Sequence, residues 1–137
     1  MKGAAALLVL YVTVAQCSHD MKAGGWVEQD PESDPKYMEL VHFAIGANTR
    51  DLTHYHAVLK LLRVKTQVVS GTNYELTFEI SKSNCAIAKG PYSKESCKPT
   101  HDHASGICTA LVYERPWDNH RELESIHCTE TKEPLLT

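Results

Sequence analysis

The chain has 137 residues, with 14 Lys and Arg against 17 Asp and Glu, 8 His and 5 Cys. That is one domain's worth of material, which excludes an elaborate multidomain enzyme. A hydrophobic share of 42% and a charged share of 23% argue against disorder, and a net charge of −3 points away from nucleic acid and anionic membranes as partners.

In chain order, the first element is a leader. Lys2 precedes an apolar run over residues 3–15 that Thr13 alone interrupts, followed by Ala15-Gln16-Cys17. A basic start, a short apolar stretch and a small-residue exit match a secretory signal peptide. The run is shorter than the roughly 20 residues a bilayer span needs. Residues 1–17 are therefore predicted to be a signal peptide, and residues 18–137 the secreted, extracellular domain. Cleavage there removes Cys17 and leaves Cys85, Cys97, Cys108 and Cys128. An even set in a small secreted chain reads as two disulfides. No second apolar run follows, so no membrane anchor is expected. No Asn-x-Ser/Thr acceptor occurs either, because Asn48-Thr49 is followed by Arg50.

Residues 18–34 are polar and carry Gly24-Gly25 before an isolated apolar pair, Trp26-Val27. They read as a mobile arm leading into at most one short strand. Ser33 or Asp34 can then cap a helix, with Pro35 suited to its first turn. At 100° per residue, Tyr37, Met38, Leu40, Val41, Ala44 and Ile45 share one side, and Lys36, Glu39, His42, Gly46, Thr49 and Arg50 the other. This predicts one amphipathic helix of about 16 residues laid on an apolar surface.

That surface should be a sheet. Tyr74, Leu76, Phe78 and Ile80 alternate with Glu75, Thr77 and Glu79, as in a half-buried strand. Residues 56–69 are strand-like too, but Ala57, Leu59 and Leu61 are odd and Leu62, Val64 and Val68 even. One parity switch predicts a β-bulge near Leu61-Leu62. Ser70-Gly71-Thr72-Asn73 supplies the hairpin connection. Residues 107–115 form another strand, broken by Pro116, and residues 123–128 a last one. Residues 82–106, rich in Lys, Ser, Pro, Gly and His, read as loop. The predicted class is α+β: one helix packed across a twisted antiparallel sheet of four to five strands, with two disulfides. Three cystine connectivities are open. The sequential one, Cys85 with Cys97 and Cys108 with Cys128, closes the shortest loops, each worth on the order of 3 kcal/mol.

Chemistry is sparse. Paired cysteines in an oxidising compartment leave no thiolate nucleophile, and Ser70 lacks a Gly-x-Ser-x-Gly elbow. His54-Tyr55-His56 and His101-Asp102-His103 each offer two metal ligands without a third at fixed spacing. No enzyme, metal or cofactor is expected. Binding fits better. Gly24-Gly25, Gln67-Val68-Val69-Ser70-Gly71 and Pro116-Trp117 are not needed by the fold, and alternate hairpins of an antiparallel succession project from one end. Taken singly, Val68 and Val69 fit a strand interior and Trp117 a core cap. Exposed together, they need a partner to cover them.

Together these motifs resemble the cystatins, inhibitors of papain-like cysteine proteases. Gln67-Val68-Val69-Ser70-Gly71 is similar to the family's Gln-x-Val-x-Gly signature. Gly24 or Gly25 stands where its N-terminal glycine does, and Pro116-Trp117 where its Pro-Trp pair does. Phe43-Ala44-Ile45-Gly46 and the cysteine spacing resemble the secreted two-disulfide (type 2) branch. Residues 66–77 look most like arthropod members such as those of ticks. The resemblance spans the mature chain and implies a wedge: Gly24, Gly25, Gln67, Val68, Val69, Ser70, Gly71, Pro116 and Trp117 would fill the cleft of a cathepsin-type protease. It implies reversible competitive inhibition without cofactor, nucleic acid or membrane. A monomer is expected, with a domain-swapped dimer through the strained hairpin as the alternative state. Lys22-Ala23 depart from the bulkier apolar residues many relatives carry there. The competing reading is a secreted cystatin-fold binding or signalling module that does not inhibit proteases.

Overall fold

Asp34 is extended (φ −151°, ψ 122°) and accepts the Lys36 amide on its side chain, while Pro35 brings the fixed φ of a first helical turn. They start α1, Pro35–Ala47. The structure is a computed structural model that describes residues 24–130. The expected signal peptide, 1–17, and Lys22-Ala23 lie outside the described residues. α1 buries Tyr37, Leu40, Val41, Ala44 and Ile45, with Met38 and Phe43 half-buried at its margins. It has 13 residues, fewer than expected. Asn48 turns extended, its amide bonded to the Ile45 carbonyl, and Thr49 and Arg50 are exposed with no apolar face to continue the stripe.

The sheet under α1 contains β1 (Trp26–Gln29), β2 (His54–Val69), β3 (Gly71–Ala86), β4 (Gly106–Arg115) and β5 (His120–Glu130), all antiparallel and in chain order. In β2, Val58, Leu61 and Val64 stand opposite Ile80, Phe78 and Leu76. A spacing of three where a strand gives two requires two bulges, and the register shifts between Val58 and Lys60 and again between Leu61 and Arg63. Leu59 and Leu62 are the extra residues, so neither continues the parity series expected of it. Leu62 is exposed.

β3 runs on to Ala86, so residues 82–86 are strand and not loop. Ser83 there is buried, like Ser81 just before it, and pairs with Pro99 beyond a short 3₁₀ turn at Ile87–Lys89. Small polar residues at buried positions give no hydrophobic alternation, which is why the strand is hidden in the sequence. β5 likewise exceeds residues 123–128, because its polar flanks complete the ladder to β4 from His120 to Glu130.

Between helix and sheet lie Leu40, Val41, Ile45, Val64, Leu76, Phe78, Ile80 and Val112, all essentially without solvent contact. Cys85–Cys97 anchors the long connection and Cys108–Cys128 joins β4 to β5, with S–S distances of 2.05 and 2.00 Å. Buried Glu114 ties the helix to the sheet. Its carboxylate meets Lys36 Nζ at 2.6 Å and Arg121 Nη2 at 2.6 Å. Burial pushes this carboxyl up, but the hydrogen bonds from Lys36 and Arg121 outweigh it and hold the pKa below its ordinary value.

Candidate functional site

The antiparallel order puts three segments at one end of the sheet. Trp26 pairs with Gln67, Val69 with Gly71, Thr72 with Glu114, and Arg115 with His120. The start of β1, the β2–β3 turn and the β4–β5 turn are therefore neighbours.

The first tip is tighter than a four-residue connection. Gln67 already faces Asn73 and Val68 faces Thr72, leaving Ser70 alone between the strands. Gly71 makes that turn feasible: its φ is +117°, and a Cβ there would stand 2.6 Å from Tyr113 Oη and 2.8 Å from the Glu114 carbonyl oxygen. Val68 is 66% exposed and Val69 40%, so neither is strand interior.

The second tip is a 3₁₀ turn, Pro116–Asp118, closed by Asn119 in the left-handed region (φ 57°), whose amide donates to the Pro116 carbonyl. Arg115 Nε donates to Asp118 Oδ2 at 2.8 Å, bracing the turn from its near side. Trp117 is 68% exposed and does not cap the core.

The arm joins the first tip through Gln67. Its Nε2 donates to the Gly24 carbonyl oxygen at 2.8 Å, while its Oε1 accepts from Asn73 Nδ2 at 2.8 Å. Of the two candidate glycines, Gly24 is the one whose backbone (φ +105°) calls for glycine; a Cβ on Gly25 would meet nothing within 4 Å. An exposed bidentate pair, Arg63 with Glu28 at 2.9 and 3.1 Å, holds β1 against β2.

All nine residues expected at the binding edge thus lie at this end. Other residues join them there. Trp26 and Val27, 41% and 56% exposed, extend the apolar strip, and their isolation in a polar segment was the available signal. Asn73, Tyr113 and Arg115 carry no such signal; register alone brings them to the tips.

The other candidate clusters offer less. His56, Cys108 and Cys128 hold donor atoms within 4.8 Å of one another, but both sulfurs form a disulfide and cannot ligate. His101 and His103 lie with ring centroids 5.2 Å apart on the exposed loop. His42 Nδ1 meets Tyr92 Oη at 2.6 Å between α1 and the same loop. There burial pushes the Tyr92 phenol up to about 12 and the His42 imidazole down.

Comparison with known proteins agrees with this geometry. The family model described as "Cystatin domain" matches residues 24–117. Cystatin-1 of Ornithodoros moubata is 40% identical over 122 residues, covering 88% of this chain and 95% of its own. Among solved structures, Mialostatin, a gut cystatin from the hard tick Ixodes ricinus, is similar at a TM-score of 0.74 and 39% identity, over 79% of this chain and 100% of its own. A salivary cystatin from the soft tick Ornithodoros moubata is similar at a TM-score of 0.74 and 39% identity, over 80% of this chain and 100% of its own.

Proposed function

The chain belongs to the cystatin family and is a cysteine protease inhibitor, not an enzyme; from that premise we propose that it is secreted and blocks papain-like endopeptidases of the cathepsin L, S, B and C type reversibly and competitively. The relatives' description as salivary or gut proteins and the two disulfides support secretion.

The observation that carries the mechanism is the exposure of Val68 and Trp117, 66% and 68%, at adjacent tips with the Gly24 arm beside them. Such an edge has the shape of a wedge. Inserted into an active-site cleft, Val68 and Val69 would supply apolar contact near the catalytic Cys-His pair. Trp117 would be the large-area anchor, of the type that dominates alanine scans. Gly24 and Gly25 would let the arm turn into the unprimed subsites. The turn at Ser70-Gly71 presents no extended peptide bond to the nucleophile, so the wedge blocks without being cut. Pro116 fixes the approach of Trp117 to its turn and lowers the ordering cost of binding.

Titrating papain and a cathepsin L-like enzyme with purified residues 18–137, using a fluorogenic peptide substrate, tests this. Stoichiometric loss of activity that returns on dilution is expected. Full protease activity at micromolar protein overturns the reading and leaves a cystatin-fold binding module in its place.

A further inference from the structure

We propose that Tyr113 is the positioning residue of the inhibitory edge: its phenol locks the two hairpin tips into one unit and so sets how fast a protease is captured. The proposal rests on the inhibitory reading above, because it assigns a cause to the rate of that same inhibition.

Tyr113 lies on β4, opposite Asn73, just before the Arg115-Pro116-Trp117 turn. Its hydroxyl donates to the carbonyl oxygen of Ser70, the single residue between β2 and β3. The ring and hydroxyl also fill the space a side chain at position 71 would need, since a Cβ there would meet Tyr113 Oη at 2.6 Å and Cε1 at 2.9 Å. Gly71 is therefore more than a turn residue. Its missing side chain admits the tyrosine that pins the turn.

On its other side Tyr113 meets the second tip. The Arg115 guanidinium carbon lies 5.6 Å from the Tyr113 ring centroid, and Nη1 reaches the hydroxyl at 3.5 Å. The same guanidinium holds Asp118, the residue after Trp117, at 2.8 Å. His120 packs edge-on against the ring at 5.9 Å between centroids. A continuous chain of contacts thus runs from Ser70 through Tyr113 and Arg115 to the turn that carries Trp117. Asn73, opposite Tyr113, extends it through Gln67 to Gly24.

The physical reason for such a lock is the exposure of what it holds. Val68 and Val69 stand in solvent and make little core contact that could fix the tip. A tip that samples other conformations presents its binding form only part of the time, and apparent affinity falls by that fraction. The loss enters through association. Loss of a direct contact with the protease, by contrast, enters mainly through dissociation. Tyr113 and Trp117 should therefore separate kinetically.

Tyr113→Phe keeps the ring against Gly71 and removes one hydrogen bond. With papain, the association rate constant is expected to fall by up to about fivefold, while the dissociation rate constant stays at its wild-type value. Amide ¹⁵N relaxation of the free protein should show increased motion at Ser70 and Gly71. Trp117→Ala should instead speed dissociation and leave those amides rigid. Unchanged association in Tyr113→Phe, or weakening confined to dissociation, overturns the proposal. So do Ser70 and Gly71 amides as rigid as in the wild type. If the wild type itself leaves papain active, the inhibitory reading fails separately, and the relaxation data alone decide whether Tyr113 locks the tips.

Discussion

At the end of the sheet where β2 turns into β3, among the described residues, no covalent cross-link joins the strands, and Trp26, Val27, Val68, Val69 and Trp117 stand in solvent. The strands there are joined by side-chain hydrogen bonds through Gln67, Asn73 and Tyr113, and Arg115 braces the second turn. At the opposite end the order is reversed. Both disulfides lie there, Cys85 near the close of β3 and Cys108 near the start of β4, with His56 buried beside Cys108–Cys128. A hydrogen bond contributes a net ~1 kcal/mol and a disulfide ~3 kcal/mol. Covalent stabilisation is thus concentrated away from the proposed binding edge. That edge is held in shape by side-chain hydrogen bonds. The two ends should consequently answer to mutation in different observables, stability at one and inhibition at the other.

The largest effect should come from the far end. Replacing Cys108 and Cys128 together by Ser removes a staple worth about 3 kcal/mol, read as a lowered midpoint in urea. The inhibition constant of the still-folded protein should stay at its wild-type value. An affinity that falls in step with stability would break the comparison. Next comes the edge: Trp117→Ala should weaken inhibition by about 2 kcal/mol, roughly 30-fold, without moving the urea midpoint. An unchanged inhibition constant would remove Trp117 from the anchor role.

The smallest effect sharpens the comparison through pH. His56 is buried at the far end, its Nε2 3.8 Å from Glu130 Oε2. Burial pushes its pKa below the ordinary 6.5, and the nearby carboxylate only partly offsets this. The unfolded chain therefore takes up the proton first as pH falls. The contribution to stability is full above about pH 6.5 and is lost as pH drops from there through the folded value. His42, whose pKa is lowered by burial and then by Lys94 and Lys98, acts in the same direction. Tm should fall between about pH 7.5 and about pH 5.5, and His56→Asn should flatten part of that slope. A Tm that holds level across this window in the wild type sinks the assignment.

What could be read without coordinates followed from local chemistry. Asp34-Pro35 announces a helix start because cap and first turn are made by adjacent residues. Tyr74, Leu76, Phe78 and Ile80 announce a strand because one face meets the core and the other meets water. The tip motifs stand out because valines and a tryptophan occur where a small fold has no use for them, next to glycines that its turns require. Other features were hidden for equally physical reasons. Ser81 and Ser83 are buried strand residues with no apolar signature. Leu59 and Leu62 look like members of alternating series, yet each is the residue a bulge sets aside.

By itself, then, the sequence determined most of the element types, the buried face of α1 and the three segments proposed to bind. Each follows from transfer of side chains between water and core, which periodicity over a few residues reports. Tertiary structure alone decided the strand register, and with it that Gln67 reaches Gly24 and Tyr113 reaches Ser70, each across 43 positions of chain. Those bonds depend on which residues end opposite one another across the strands. No local pattern encodes that alignment, because it is settled only when helix and sheet close on a common core.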